Sequence, residues 1–492
     1  MSLLRPTFEQ TPDVKILINI GALFDIPTGT YISGKYGESI LNGGLGSITS
    51  IVGIGNNFKT TVLHYQMLSA MSRLIETSDT DAQTYDTELS IHKDRMRALT
   101  KQFTQFKDRD IVTEGLWGLT DKSIYSANKW FDIVKEYCTS KITNKVKLEQ
   151  ETPFRTMDGK ALMKVPCITF AEIDSFTEFV TDDVLKMQNE NELGDSGANT
   201  MHMRAGLGKS RFLQELPVVV TPAYHFVLMT AQIGKDIPMN SGPMAPPPTK
   251  KLQYLKNGDK LKGVTDKFTF LMNASWHAYN AAPFINQGTK CSEYPSNPDD
   301  NNKGDTDLNI VSVRNLRCKS GPTGYVLDLI VSQSEGILPS LTEFHYIKES
   351  DRYGITGTLQ HYALDILPDV KLSRTSIRAK IANEPKLVRA LNITSEMCQM
   401  KQFWRTMDEE LMCTPKELYD SLKAMGYDWD ILLNTRGWWT LNNDKHPIPF
   451  LSTKDLLRLR FSENHHLHYY PYWLEKDDKT KIKKEFQIKK KD

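Results

Sequence analysis

The chain has 492 residues, enough for two or three domains, and its 39% hydrophobic content excludes an unfolded or low-complexity protein. Sixty-one basic residues against 60 acidic ones exclude a global attraction to polyanions, so any nucleic-acid binding has to come from local patches. Six cysteines (138, 167, 291, 318, 398 and 413) without a C-x-x-C pair exclude a zinc ribbon and a disulfide framework; with no secretory pattern at the start and no apolar run near ~20 residues, they predict a soluble cytoplasmic protein without a membrane partner.

In chain order, residues 1–37 read as a separate segment suited to a subunit-contact arm. From 38 to 349, short apolar runs ending in polar or acidic residues alternate with longer helical patterns, which predicts an α/β domain. Strands are predicted at "ITSIVGIG", "VPCITFAEID", "PVVVTPAYHFVLMTAQ", "DKFTFLMNAS", "DLNIVSVRNLRC" and "YVLDLIVS". Three polar intervals, 189–204, 233–266 and 285–307, read as long loops, and loops of that length in a compact domain are usually functional. Residues 350–492 read as a mainly helical C-terminal domain, with segments such as "SIRAKIANEPKLVRALNI" and "TPKELYDSLKAMGY", an aromatic-rich stretch and a lysine-rich tail.

Within the first predicted strand-to-helix junction, "VGIGNNFKTT" fits the phosphate-loop pattern G-x-x-x-x-G-K-[ST] from Gly53 to Thr60, except that Phe58 replaces the second glycine. Gly53, Gly55, Asn56 and Asn57 can supply a tight, partly left-handed backbone, Lys59 can reach phosphates, and the Thr60 hydroxyl can hold Mg²⁺. By itself this is equally an ordinary turn. Further signals follow along the chain. "TYDTELS" offers the carboxylate of Glu88 to polarise a water, "CITFAEIDSF" ends an apolar strand in Asp174 for a metal's water, and "FVLMTAQIG" puts Gln232 at a strand tip before a long loop. Each is commonplace alone; their shared order carries the weight.

With these residues in place the chain resembles the RecA family, most closely the phage-type, UvsX-like recombinases, whose phosphate loops carry a similar Phe-Lys-Ser where this chain has "FKT". "YDTELSI" is similar to the segment around the family's catalytic glutamate, "EIDS" to its second nucleotide element, "ELGDSGANTMHMRAGLGKSRFLQEL" to the first DNA-binding loop and its helix, and "TAQIG" to the link between ATP and the second DNA-binding loop. "RNLRCKSGPTGYVLDLIVSQSEGI" resembles the family's basic pair, strand and Glu-Gly-Ile turn, which carries onto Arg317 and Lys319 a contact with the neighbouring subunit's ATP. Arg95 stands where bacterial members have an adenine-stacking tyrosine.

The resemblance implies a RecA-like P-loop ATPase core over 38–349, a mostly parallel twisted sheet flanked by helices. It also implies ATP and Mg²⁺ as cofactors, with Gly53, Gly55, Asn56, Asn57, Phe58, Lys59, Thr60 and Thr61 around the nucleotide, Thr60 and Asp174 toward the metal, and Glu88, Lys59 and Gln232 in catalysis. The implied activity is a DNA-dependent ATPase that forms filaments on single-stranded DNA and promotes pairing and strand exchange with duplex DNA in recombination and repair, with single-strand-binding or mediator proteins as further partners. For the DNA, the residues themselves offer Met201, Met203 and Arg204 in the first loop and Lys235, Lys250, Lys251, Tyr254 and Lys256 in the second, a mixture of charge and stacking groups that suits single strands as well as it suits a solvated surface insertion. Two alternatives stay open: a hexameric DnaB-type helicase, and a RecA-like protein that binds DNA or a partner without turnover.

Overall fold

The computed structural model describes residue 12 and residues 14–156, 158–190, 198–235, 253–264, 267–297, 299, 302–358, 361–403, 408–462 and 465–486. In chain order it begins with α1 (Asp25–Thr28), the hairpin of β1 (Thr30–Ser33) and β2 (Ser39–Asn42), β3 (Ile48–Gly53), α2 (Lys59–Leu74), β4 (Ala82–Asp86), α3 (Lys93–Thr100), β5 (Trp117–Asp121), α4 (Ala127–Thr143) and α5 (Lys145–Leu148). A second hairpin, β6 (Glu149–Arg155) and β7 (Leu162–Pro166), precedes β8 (Thr169–Asp174), α6 (Asp182–Glu190), α7 (Ala198–Val220), β9 (His225–Lys235), β10 (Asp259–Leu261) and α8 (Lys267–Leu271). Then come β11 (Ala274–Pro283), β12 (Leu308–Cys318), β13 (Val326–Ser332), β14 (Gly336–Ile337) and α9 (Pro339–Glu349). The remainder holds β15 (Ile355–Thr358), β16 (His361–Leu364), β17 (Leu367–Leu372), α10 (Ile377–Asn383), α11 (Pro385–Gln402), α12 (Pro415–Ala424), α13 (Trp429–Leu433) and α14 (Thr453–Arg458).

The architecture is α/β. A ten-stranded mixed sheet runs β14-β13-β12-β11-β3-β9-β8-β4-β5, with β10 paired to β9. Along the path from β11 to β5 every pairing is parallel; β10 joins β9 antiparallel, and the strands on the β14 side are antiparallel. Strands β3 and β8 are buried along their whole length, as expected of parallel strands covered on both faces. On one face α2 and α3 pack Val62, Leu63, Met67 and Leu99 against Phe170, Phe226 and Trp276; on the other α4 and α7 pack Trp130, Phe131 and Phe212 against Val52, Ile173 and Val227. Register sets the upper edge: Gly53 lies opposite Gln232 and Ala278, and Asp86 opposite Asp174.

Residues 14–24 are largely buried, and Ile18 bridges Leu45. Residues beyond Glu349 build a three-stranded antiparallel sheet, β15–β17, beside helices that predominate, and their core is continuous with Ile26, Leu41 and α9 residues such as Leu341 and Phe344. Among the described residues no helix is long and apolar enough to cross a membrane.

Two predicted strands are corrected in part. Pro217–Val220 end α7 instead of opening β9. Phe212, Leu213, Leu216 and Val220 are buried while Val218 is exposed, a helical stripe that overrides the β preference of the valine run. Residues 267–271 form α8, where Phe268 and Met272 are buried one turn apart and Phe270 faces out. The first predicted loop is also shorter than expected, because α7 already begins at Ala198.

Candidate functional site

The loop after β3 turns through two non-glycine residues in the left-handed region, Asn56 (φ 62°) and Phe58 (φ 57°). Phe58 occupies the junction at which α2 begins, where the pattern has glycine. A left-handed L-residue costs about 1–2 kcal/mol, and the Phe58 ring offsets this by packing on the core cluster beneath α2. Gly53 is required for a different reason: a Cβ there would lie 2.6 Å from the Ala278 carbonyl oxygen. Asn57 donates to the same oxygen at 2.9 Å, which ties the loop to β11.

The residues Gly55, Asn56, Asn57, Phe58, Lys59 and Thr60 line a cleft of about 630 Å³ with Glu88, Asp174 and Gln232. Gly53 and Thr61 lie outside that lining. Lys59 Nζ donates to the Ile54 carbonyl at 2.6 Å, back across its own loop. Burial lowers the Lys59 pKa, against the opposing charges of Asp174 and Glu88. Thr60 donates to Asp174 Oδ2 at 2.6 Å, and Thr230 donates to Oδ1. Burial raises the Asp174 pKa, while the two hydroxyls pull the other way.

Glu88 sits on the turn after β4. The Asp86 carboxylate shapes that turn by accepting from the backbone N–H of Glu88 (2.9 Å), Ser90 (2.7 Å) and Ile91 (2.7 Å). Glu88 Oε1 accepts from Ser175 Oγ at 2.7 Å and from Gln232 Nε2 at 3.4 Å. Gln232 is connected outward as well. Its N–H donates to Thr177 Oγ1 at 2.9 Å, and the Thr177 carbonyl accepts from buried Lys209 at 2.6 Å, whose ammonium also reaches the Gly263 carbonyl at 2.7 Å. Burial brings the Lys209 pKa down to about 8. Below the cleft, His64 meets Glu172 at 2.9 Å, and Thr84 donates to the same carboxylate at 2.6 Å, which pins α2 to β8 and β4. Burial works against charge on His64, but Glu172 carries its pKa upward overall.

The site fits a triphosphate and Mg²⁺ on two counts. The 16-residue α2 starts without a side-chain cap or an acidic residue in its first turn, so its leading N–H groups and dipole are left for an anion. A buried carboxylate flanked by two hydroxyls is the hard-oxygen environment that suits Mg²⁺, which needs only one or two carboxylates beside phosphate and water. Thr60 and Asp174 would hold it.

Other predicted residues lie elsewhere. Cys318 pairs with Ala274, so Arg317 and Lys319 sit at the opposite end of the sheet from Gly53, roughly 13 Å along the strands. Arg317 lies over the Phe270 ring (5.5 Å to centroid), and Lys319 donates to the Leu271 carbonyl at 3.3 Å. Arg204 lines a separate groove between α4 and α7. Lys235 pairs with Asp259, Tyr254 contacts the Thr323 hydroxyl at 3.2 Å, and Lys256 is exposed. Lys250 and Lys251 fall outside the described residues, as do the side chains of Met201 and Met203 on α7. Arg95 donates to the Ser334 carbonyl at 2.7 Å.

Sequence reasoning missed Asp86, Ser175 and Thr230 as working members of the site, and Asn309 and Gln333 as lining. Thr230 was within reach of a strand pattern, since it lies two residues before Gln232 and therefore on the same face of β9. Neither a scan against protein-family models nor a search of curated proteins matches this chain.

Proposed function

We propose that this chain is an ATP-dependent DNA recombinase of the RecA kind, which assembles on single-stranded DNA and promotes homologous pairing and strand exchange with duplex DNA. One observation carries the reading: Lys59, Thr60, Asp174, Glu88 and Gln232 come from three elements and the turn after β4 and meet in one cleft at the C-terminal edge of the parallel strands. That edge is where open α/β sheets bind ligands. The resemblance of the surrounding segments supplies the DNA half of the proposal.

In this reading the α2 N-terminus and Lys59 bind the phosphates, and Thr60 and Asp174 orient the metal. Mg²⁺ supplies charge neutralisation on the phosphate oxygens. Glu88 Oε1 receives the proton of the attacking water, and Ser175 holds that carboxylate in place. Gln232 touches Glu88 and, through Thr177 and Lys209, the 263 turn, so it can report the state of the cleft to the loop that follows β9. Neighbouring copies in a filament, and single-strand-binding or mediator proteins, are the partners this activity calls for.

The test is Lys59→Ala, with ATP hydrolysis measured with and without single-stranded DNA, and electron microscopy of the unaltered chain with a non-hydrolysable ATP analogue. Loss of turnover with retained folding, and helical filaments along DNA, are expected. Normal turnover in the variant overturns the site; six-membered rings redirect the assignment to a helicase, and particles indifferent to nucleotide and DNA redirect it to a non-catalytic binder.

A further inference from the structure

The cleft that Lys59 and Thr60 line has a far wall, to which Asn309 and Gln333 contribute. Gly53 lies level with Ala278, and Ala278 with Val313. Asn309 therefore stands four positions further along β12, roughly 13 Å past the loop between β3 and α2. That is beyond the phosphates of a nucleotide seated on the loop and within reach of its nucleoside.

One carbonyl orients both amides. Thr306 O accepts from Asn309 Nδ2 at 3.0 Å and from Gln333 Nε2 at 2.7 Å, and the Asp307 carbonyl accepts from Asn309 Nδ2 at 3.1 Å. With the NH₂ groups committed to carbonyls, the two amide oxygens are left over, and neither has a partner among the described residues. An amide oxygen only accepts, so this wall matches the hydroxyl and amino groups of a nucleoside and not phosphate oxygens.

Asp307 organises the wall. Its carbonyl accepts from the Gln333 N–H at 2.8 Å, and its carboxylate accepts from Ser332 Oγ at 2.7 Å and from the Ser334 N–H at 2.9 Å. Two cations act on it. Arg95, on α3, is itself tied to the Ser334 carbonyl at 2.7 Å; Arg378, on α10, reaches Asp307 Oδ2 at 3.7 Å and Glu335 Oε2 at 3.2 Å. Burial works against charge on Asp307, but the bonds from Ser332 and Ser334 and the charge of Arg378 carry its pKa below the usual value. Arg378 is not what holds α10 in place. Its neighbour Ile377 is buried in the core shared with α9, and partly exposed ion pairs contribute little to stability.

We propose that Arg378 is a positioning residue for the nucleotide: through Asp307 it holds Asn309 and Gln333 as an acceptor wall against which the nucleoside end docks. This rests on reading the cleft as a nucleotide site. It gives the residues beyond Glu349, which the resemblance leaves without a role, a direct hold on nucleotide affinity.

The experiment is isothermal titration calorimetry of the full chain with Mg²⁺ at constant ionic strength, using a non-hydrolysable ATP analogue and inorganic triphosphate, which lacks the nucleoside. Arg378→Met should weaken the analogue about five- to tenfold and leave triphosphate affinity within about twofold. Arg378→Lys should recover part of the loss. Asn309→Ala should show the same pattern, and the double variant should lose less than the two single losses combined. A merely structural defect would lower the bound stoichiometry and leave both affinities unchanged. If the unaltered chain binds neither probe, the nucleotide reading falls and this inference with it. If it binds the analogue, then unchanged affinity in R378M, equal loss of both probes, or fully additive losses overturn this inference alone. Should R378M fail to fold, Asn309→Ala decides: an unchanged ratio of analogue to triphosphate affinity overturns the wall.

Discussion

At the scale of single residues, Glu88 is defined by its contacts. Its Oε1 accepts from Ser175 and Gln232, and its backbone is fixed by Asp86, so the carboxylate is aimed into the cleft before anything binds. Glu88→Gln keeps the size and loses the base. If Glu88 is the general base, hydrolysis should fall by about 10²–10⁴ while nucleotide affinity changes only a few-fold, as read by steady-state turnover beside a nucleotide titration. An equal loss in both would make Glu88 a binding residue. Glu88 and Asp174 could be picked from the sequence because each closes a recognisable segment. Thr230 and Ser175 could not be weighted in the same way, since a hydroxyl acquires its meaning from the carboxylate it faces across the sheet.

At the scale of elements, local signals were legible wherever they were self-contained. The "TPKE" start of α12 is an example: Thr414 Oγ1 accepts from the Glu417 N–H at 3.2 Å and Glu417 accepts from the Thr414 N–H at 2.7 Å, a reciprocal cap with proline at the first helical position. Thr414→Ala is expected to cost about 1 kcal/mol in a denaturant titration, without altering hydrolysis. Where a valine run could serve two periods, as at Pro217–Val220, the choice fell to packing: a buried stripe with Phe212 and Leu216 was available to a helix, and β propensity lost. Phe58 in the loop between β3 and α2 is a related case. Its left-handed backbone is tolerated because the ring has a core to join.

For the whole molecule, the continuous core between residues beyond Glu349 and α1, β2 and α9 buries several acids at the junction. Burial raises Glu343 to about 8, Glu38 to about 7 and Asp455 to about 6. A carboxyl with a raised pKa in the folded state binds its proton more tightly there than in the unfolded chain. Its stabilising contribution is full below about pH 4, the unfolded range, and is lost as pH rises through the folded values. These three carboxyls therefore contribute a decline in stability from about pH 5 to about pH 8.5, against the opposite contribution of His225 and His277, whose pKa burial lowers to about 3 and about 4. Glu343→Gln should flatten that decline and be the more stable form at the alkaline end, by up to roughly 4 kcal/mol. A difference between the unaltered chain and E343Q that does not change with pH would contradict the burial of Glu343 in its acid form.

The sequence by itself determined the α/β class, the β3-to-α2 junction and the order of segments that close the first cleft, because these depend on neighbouring residues: a glycine-bearing turn, a helix start, an apolar run ended by an acid. Only the tertiary structure decided which strand ends stand level, and hence that Asp86, Thr230 and Ser175 join the cleft while Arg317 and Lys319 lie at the far edge of the sheet. It alone also brought Glu343, buried, to the wall of a second cleft. The physical reason is common to both: strand register and the surroundings of buried charge are set by contacts between residues tens to hundreds of positions apart, and no local pattern encodes them.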